Sequence, residues 1–236
     1  MVTHLLIPGL VSDGRIWRAL GDMLAPRGPV VHGDVTRDDS IAAMAARLLA
    51  EIEGPLVIVG HSMGGRVAME MAHQAPCRIR ALVLANTGHN AQGANERPKR
   101  EAKIALGHES MQNLAAEWLP PMLDPARTDD AELMAELTDM VLAAGADVHE
   151  RQIRALMGRP DAGEYLPQLD CPILLLTGAQ DGWSPEAQHQ HIADLTPDAE
   201  LRVIESAGHF MPVERSDETN AAINDWLERR AADIYD

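Results

Sequence analysis

Apolar residues along the chain fall into two alternating patterns. Short runs of strand length, Thr3 to Ile7, Val30 to His32, Leu56 to Val59, Ala81 to Ala85, Pro172 to Thr177 and Leu201 to Ile204, are separated by longer stretches with helical spacing. This alternation predicts parallel strands joined by crossover helices, the α/β class. Leu56-Val57-Ile58-Val59 and Ile173-Leu174-Leu175-Leu176 are apolar without interruption, which predicts a sheet covered by helices on both faces. Asp39 and Ser40 offer caps for a helix running to about Glu53 and stopped by Gly54 and Pro55. Ser216 and Asp217 offer caps for a last helix burying Ile223, Trp226 and Leu227. Asp217 and Glu218 stand at its positive end, Arg229 and Arg230 at its negative end.

One interval breaks the alternation. From about Thr87 to Tyr165 there is no strand signal, and apolar residues recur at i, i+3, i+4, i+7, as in Met111, Leu114, Ala115, Trp118 and in Leu133, Leu137, Met140, Val141. Gly88, Gly93 and Pro98 on one side and Pro160, Gly163 and Pro167 on the other mark its borders. The expected organisation is an α/β core, residues 1–86 and 166–236, interrupted by an all-helical cap, residues 87–165.

Composition narrows the function classes. The chain has 236 residues, 46% apolar and 24% charged, enough for one sizeable core. Acidic residues outnumber basic ones 36 to 20, for a formal charge of −16. Nucleic acid and anionic membrane surfaces are thereby disfavoured as partners. Cys77 and Cys171 match no ligand spacing and read as small apolar residues. With no leader-like start and no apolar run of membrane length, the expected location is the cytoplasm. Arg97, Lys99, Arg100 and Lys103 form the densest basic cluster, but Glu96 and Glu101 interleave with them, which reads as a solvated face. His189 and His191, two apart, point to different helix faces, so no metal site is expected.

The most informative segment runs from strand residues Leu56 to Val59 into Gly60-His61-Ser62-Met63-Gly64-Gly65 and on into a helical pattern. A strand reversing sharply into a helix strains the residue between them, and only small neighbours such as Gly60 and Gly64 permit the turn. Ser62 is then held out at the strand end, where the helix dipole favours developing negative charge. A serine hydroxyl needs a base, and His209 follows the last strand by a short loop. The imidazole in turn needs a carboxylate. Asp181, just past Pro172 to Thr177, is the candidate; Glu205 lies near His209, and Asn86 ends another strand but is not ionisable.

On these residues the chain resembles the α/β-hydrolase fold superfamily, in its small capped esterase, lactonase and C–C hydrolase group. Pro8-Gly9-Leu10 resembles the family's His-Gly-X oxyanion loop, with Pro8 in place of the histidine. Gly178 to Pro185 resembles its acid loop, and Ala207-Gly208-His209-Phe210 its histidine loop. Asp34-Val35-Thr36-Arg37 departs from the family's usual stretch after the second of these strands. The resemblance implies six parallel strands in the family's order 4-3-5-6-7-8, without its first two strands, and a cap over the site. It implies Ser62, Asp181 and His209 as catalytic residues and the backbone N–H groups of Leu10 and Met63 as oxyanion donors. His61, Trp118, Trp183 and Phe210 are candidate walls of a mostly apolar substrate pocket. The expected activity is cofactor-independent hydrolysis of a small ester or lactone through an acyl-enzyme. Two alternatives stay open: C–C bond cleavage or a non-hydrolytic elimination on the same residues, and a small-ligand receptor with the same fold.

Overall fold

The computed structural model describes residues 1–235. Six strands, β1 (Thr3–Ile7), β2 (Val30–His32), β3 (Leu56–His61), β4 (Ile79–Ala85), β5 (Ile173–Gly178) and β6 (Ala199–Ile204), form one sheet in the order β2-β1-β3-β4-β5-β6. Every pairing is parallel, and the order is the one the resemblance implies. β3 extends two residues past the apolar run because Gly60 and His61 keep their register with Leu84 and Ala85 of β4.

The helices are α1 (Arg18–Leu24), α2 (Ile41–Glu51), α3 (Met63–Gln74), α4 (Arg97–Glu109), α5 (Met111–Trp118), α6 (Ala131–Met157), α7 (Glu186–Leu195), α8 (Met211–Glu214), α9 (Ser216–Arg229) and α10 (Ala231–Tyr235). Right-handed crossovers place α1, where the chain steps back towards β2, on the opposite face from α2, α3 and α7, where it steps forward. α2 accordingly packs on α3, and α1 on α9. Covered from both sides, Leu56 to Val59 and Leu174 to Leu176 are wholly buried.

Helix ends differ from the sequence reading in detail. Ser40 alone caps α2, its Oγ accepting from the Ala43 N–H at 3.1 Å. The helix stops at Glu51 because Ile52 is already extended, ahead of the positive-φ turn at Gly54. α9 carries no side-chain cap: Ser216 lies inside the helix, after Arg215. Cys77 is exposed in the tight turn before β4 rather than packed.

Between β4 and β5 the chain is helical, α4 packing on α5 and both on α6. α6 is broken at Gly145, whose φ of 75° and ψ of 169° lie outside the helical range. Among the described residues no helix is long and apolar enough to cross a membrane, and no group of His, Cys, Asp or Glu side chains is placed to hold a metal ion.

Candidate active site

β3 ends at His61 and α3 begins at Met63, so Ser62 alone makes the turn. Its φ of 53° and ψ of −113° are strained for a residue with a side chain. The glycines leave the room this requires. A Cβ on Gly60 would run into the Gly64 carbonyl, and one on Gly64 into the carbonyls of Ile7 and Pro8. Hydrogen bonds pin the turn to the end of β4: the Ser62 N–H donates to Ala85 O at 2.9 Å, and Thr87 Oγ1 donates to Ser62 O at 2.6 Å.

The loops after β5 and β6 bring Asp181 and His209 to the same strand end. His209 Nε2 lies 2.9 Å from Ser62 Oγ, placed to accept its proton, and the Nδ1–H donates to Asp181 Oδ2 at 2.9 Å. Asp181 accepts three more hydrogen bonds, from Asn86 Nδ2 on Oδ2 and from the N–H groups of Trp183 and Ser184 on Oδ1. Burial alone pushes its carboxyl up. The charge and hydrogen bond of His209, with the donors of Asn86 and Ser184, outweigh burial and hold it well below the usual carboxylate range. Glu205 is exposed, whereas Asn86 touches both Asp181 Oδ2 and Gly208 O, which makes it a support of the acid.

His209 is fixed from behind. Its N–H donates to Met122 O at 2.6 Å, and its own carbonyl accepts from His61 Nε2–H at 2.7 Å. His61 is buried. Desolvation, then the neighbouring His209, lowers it to about 3, so the ring is neutral. It lies under the histidine loop, where the sequence reading expected a pocket wall. Phe210 is likewise buried, edge-on to Trp118 with ring centroids 6.0 Å apart. Neither borders the cavity; Trp118 does, and Trp183 does so half exposed.

That cavity, of about 660 Å³, opens over Ser62 and His209. Leu10 and Met63 border it, and neither backbone N–H has a hydrogen-bond partner within the protein among the described residues. The Leu10 loop has a support the sequence reading missed. Val11 sits at a φ of 44°, and its N–H donates to Gln152 Oε1 of α6 at 2.8 Å, while Gln152 Nε2 donates to Val35 O.

The basic cluster is not simply a solvated face. Glu96, the N-cap of α4, and Lys99, Arg100 and Lys103 within it follow i, i+3, i+4, i+7 and turn together onto the cavity; Arg97 and Glu101, off that stripe, are exposed and pair with each other at 3.6 Å. Arg66 and Arg159 join them. The lining is still mostly apolar, around Leu114, Trp118 and Met122, as expected; what the sequence reading missed is the charged patch on the α4 side.

The model of the alpha/beta hydrolase family matches residues 5–222. The chain is 26% identical to a pimeloyl-[acyl-carrier protein] methyl ester esterase from Neisseria meningitidis, over 89% of this chain and 88% of that one. It is 33% identical to a lipase from Mycobacterium tuberculosis over 61% of this chain and 56% of the lipase. Among solved structures, a thermophilic esterase from Thermogutta terrifontis superposes with a TM-score of 0.89 at 26% identity, covering 97% and 90% of the two chains.

Proposed function

The chain belongs to the alpha/beta hydrolase family, and on that premise we propose that it cleaves a small carboxylic ester or lactone through an acyl-enzyme on Ser62. The observation that carries the reading is the unbroken chain of hydrogen bonds from Ser62 Oγ through His209 to Asp181, each link 2.9 Å, beginning at a serine held in strained geometry. His209 takes the Ser62 proton as Oγ attacks the carbonyl, then gives that proton to the leaving alkoxide. Water, deprotonated by the same nitrogen, cleaves the acyl-enzyme and restores Ser62. Asp181 fixes the tautomer and stabilises the imidazolium. The unpartnered N–H groups of Leu10 and Met63, with the N-terminus of α3 behind them, receive the oxyanion. Each such donor is worth about 10²- to 10³-fold in rate. Residues 87–165 serve as a cap over the core of 1–86 and 166–236, closing the cavity above Ser62. The esterase and lipase names of the similar proteins agree with this reading.

The test is intact mass after treatment with a small organophosphonate, followed by turnover of esters of rising acyl length. The expected result is one adduct on the wild type and none on Ser62→Ala. Ester turnover is expected to fall on the order of 10⁶-fold in Ser62→Ala and in His209→Ala while both remain folded. Undiminished turnover by Ser62→Ala, or no adduct on well-folded wild type, overturns the proposal.

A further inference from the structure

The charge around the cavity is opposite to that of the molecule. Arg66, Lys99, Arg100, Lys103 and Arg159, five of the chain's 20 basic residues, border it, against Glu96 alone of the 36 acidic ones. Most of these cations are already engaged. Arg159 donates to both oxygens of Glu96, at 3.0 and 2.7 Å, and to the carbonyls of Asn90, Ala91 and Leu156, so all its donating nitrogens are occupied. Arg100 shares Glu96 at 2.8 Å, and Lys103 pairs with Glu117 at 3.0 Å. Lys99 stands exposed at the rim.

Arg66 is different. It sits on α3 four residues after Ser62, one helical turn or about 6 Å along the axis. Its guanidinium donates only to Asn90 O, at 2.9 Å, and has no carboxylate partner among the described residues. Desolvation, then Arg159 and Arg100, disfavours its charge. A guanidinium nonetheless stays protonated near neutrality. The result is a partly buried cation with idle donors, facing the cavity next to the nucleophile, at a position where the nearby carboxylate, Glu96, favours its charge but is bound by Arg159 and Arg100 instead.

We infer that this cavity takes a substrate carrying a carboxylate a few bonds from the scissile carbonyl, and that Arg66 binds that carboxylate. The inference rests on the reading of Ser62 as nucleophile and deepens it from any small ester to an anionic one, such as the half-ester of a dicarboxylic acid. A monoanion fits better than a phosphate dianion, because Arg66 presents one planar fork, Arg159 has no free donating nitrogen, and the Nε and Nη2 of Arg100 are held by Glu96. The surrounding positive wall in a molecule of charge −16 draws anions to this one opening.

The experiment separates binding from turnover. Ser62→Ala protein is titrated calorimetrically with monomethyl adipate and with neutral dimethyl adipate, at low and high salt. The anionic half-ester is expected to bind at least tenfold tighter, with an advantage that shrinks as salt rises. In Ser62→Ala/Arg66→Gln that advantage falls at least tenfold; Arg66→Lys, which keeps the charge but loses the fork, lies between. Because Arg66 forms no ion pair and two arginines disfavour its charge, Arg66→Gln is expected to melt no lower than its parent, and monomethyl adipate to raise the parent's Tm. Equal or weaker binding of the anion, or an advantage that survives Arg66→Gln, overturns the inference; should that variant fail to fold, the Arg66→Lys and salt arms decide. Phosphonate labelling of the wild type keeps the two readings apart. Labelling without anion preference rejects only the carboxylate site, and anion binding through Arg66 without labelling rejects only the acyl-enzyme.

Discussion

At the scale of single residues, the site works by leaving few alternatives to each group. Asp181 is surrounded by four donors, one pair on each oxygen. Only an acceptor on both sides fits that arrangement. Asp181→Asn puts an NH₂ against donors whichever way it flips, and where it faces His209 it forces the wrong tautomer. Its kcat is expected to drop about 10⁴-fold with KM little changed, as for the same change in a serine-protease triad. A steady-state comparison on one chromogenic ester checks this, and a loss under tenfold would remove Asp181 from the proposed role. The same logic explains what sequence could and could not reveal. Ser62, His209 and Asp181 were legible because backbone turns with special geometry leave marks in sequence: glycines on both sides of the serine, a short loop after a strand for the other two. Asn86 was visible only as a strand end set aside for not being ionisable, and Gln152 leaves no mark at all, since a lone amide shows no role until the fold buries it beside Asp181 or Val11.

Among elements, the decisive contact is the approach of α3 to the ends of β1 and β3. Gly64 lets the helix start directly under the Ile7 and Pro8 carbonyls, which also fixes where Leu10 lies relative to Ser62. Gly64→Ala must push α3 or the Pro8 loop outward. The expected outcome is a fall in kcat beyond tenfold, since a shift of about 1 Å in a catalytic group costs on the order of 10², together with a lower Tm. Thermal melts and single-substrate kinetics on the variant test it; an unaltered kcat would mean that the Leu10 and Ser62 groups need not be held in register. Strand order and helix identity were likewise readable, because uninterrupted apolar runs demand burial on both faces. The orientation of α4 was not. Its i, i+3, i+4, i+7 basic stripe was present in the sequence, yet whether a charged stripe meets water or a cavity depends on how α4 packs on α5 and α6, a tertiary fact.

For the molecule as a whole, several buried histidines couple folding to pH. Burial first, then neighbouring charge where it acts, lowers His61 to about 3 and His149 and His189 to about 4. Each is held neutral by its surroundings. His61 lies against His209 and Asp181, His149 faces His108, Arg100, Lys103 and Glu150, and His189 accepts from the Thr87 N–H at 3.1 Å while its Nδ1–H donates to Pro185 O. In the unfolded chain these rings titrate near 6.5. As pH falls below that value the unfolded state takes up protons that the folded state refuses, so stability is retained above about 6.5 and lost progressively down to about 4. Each histidine contributes about 2 kcal/mol of loss by pH 5, by linkage. His4 and His89, also lowered by burial, act in the same direction. Glu214 opposes them, because burial raises its carboxyl and the folded state takes up its proton first; it is one group against several. The depressed carboxylates Asp181 and Glu96 enter only below about 4, where the unfolded acids begin to protonate. The expectation is a sharply lower urea midpoint at pH 5.0 than at pH 7.5, with His189→Gln, whose amide oxygen can still accept from Thr87, losing distinctly less between the two. Equal midpoints at the two pH values would show that these imidazoles are protonated in the folded protein, and that the packing around them is looser than its burial implies.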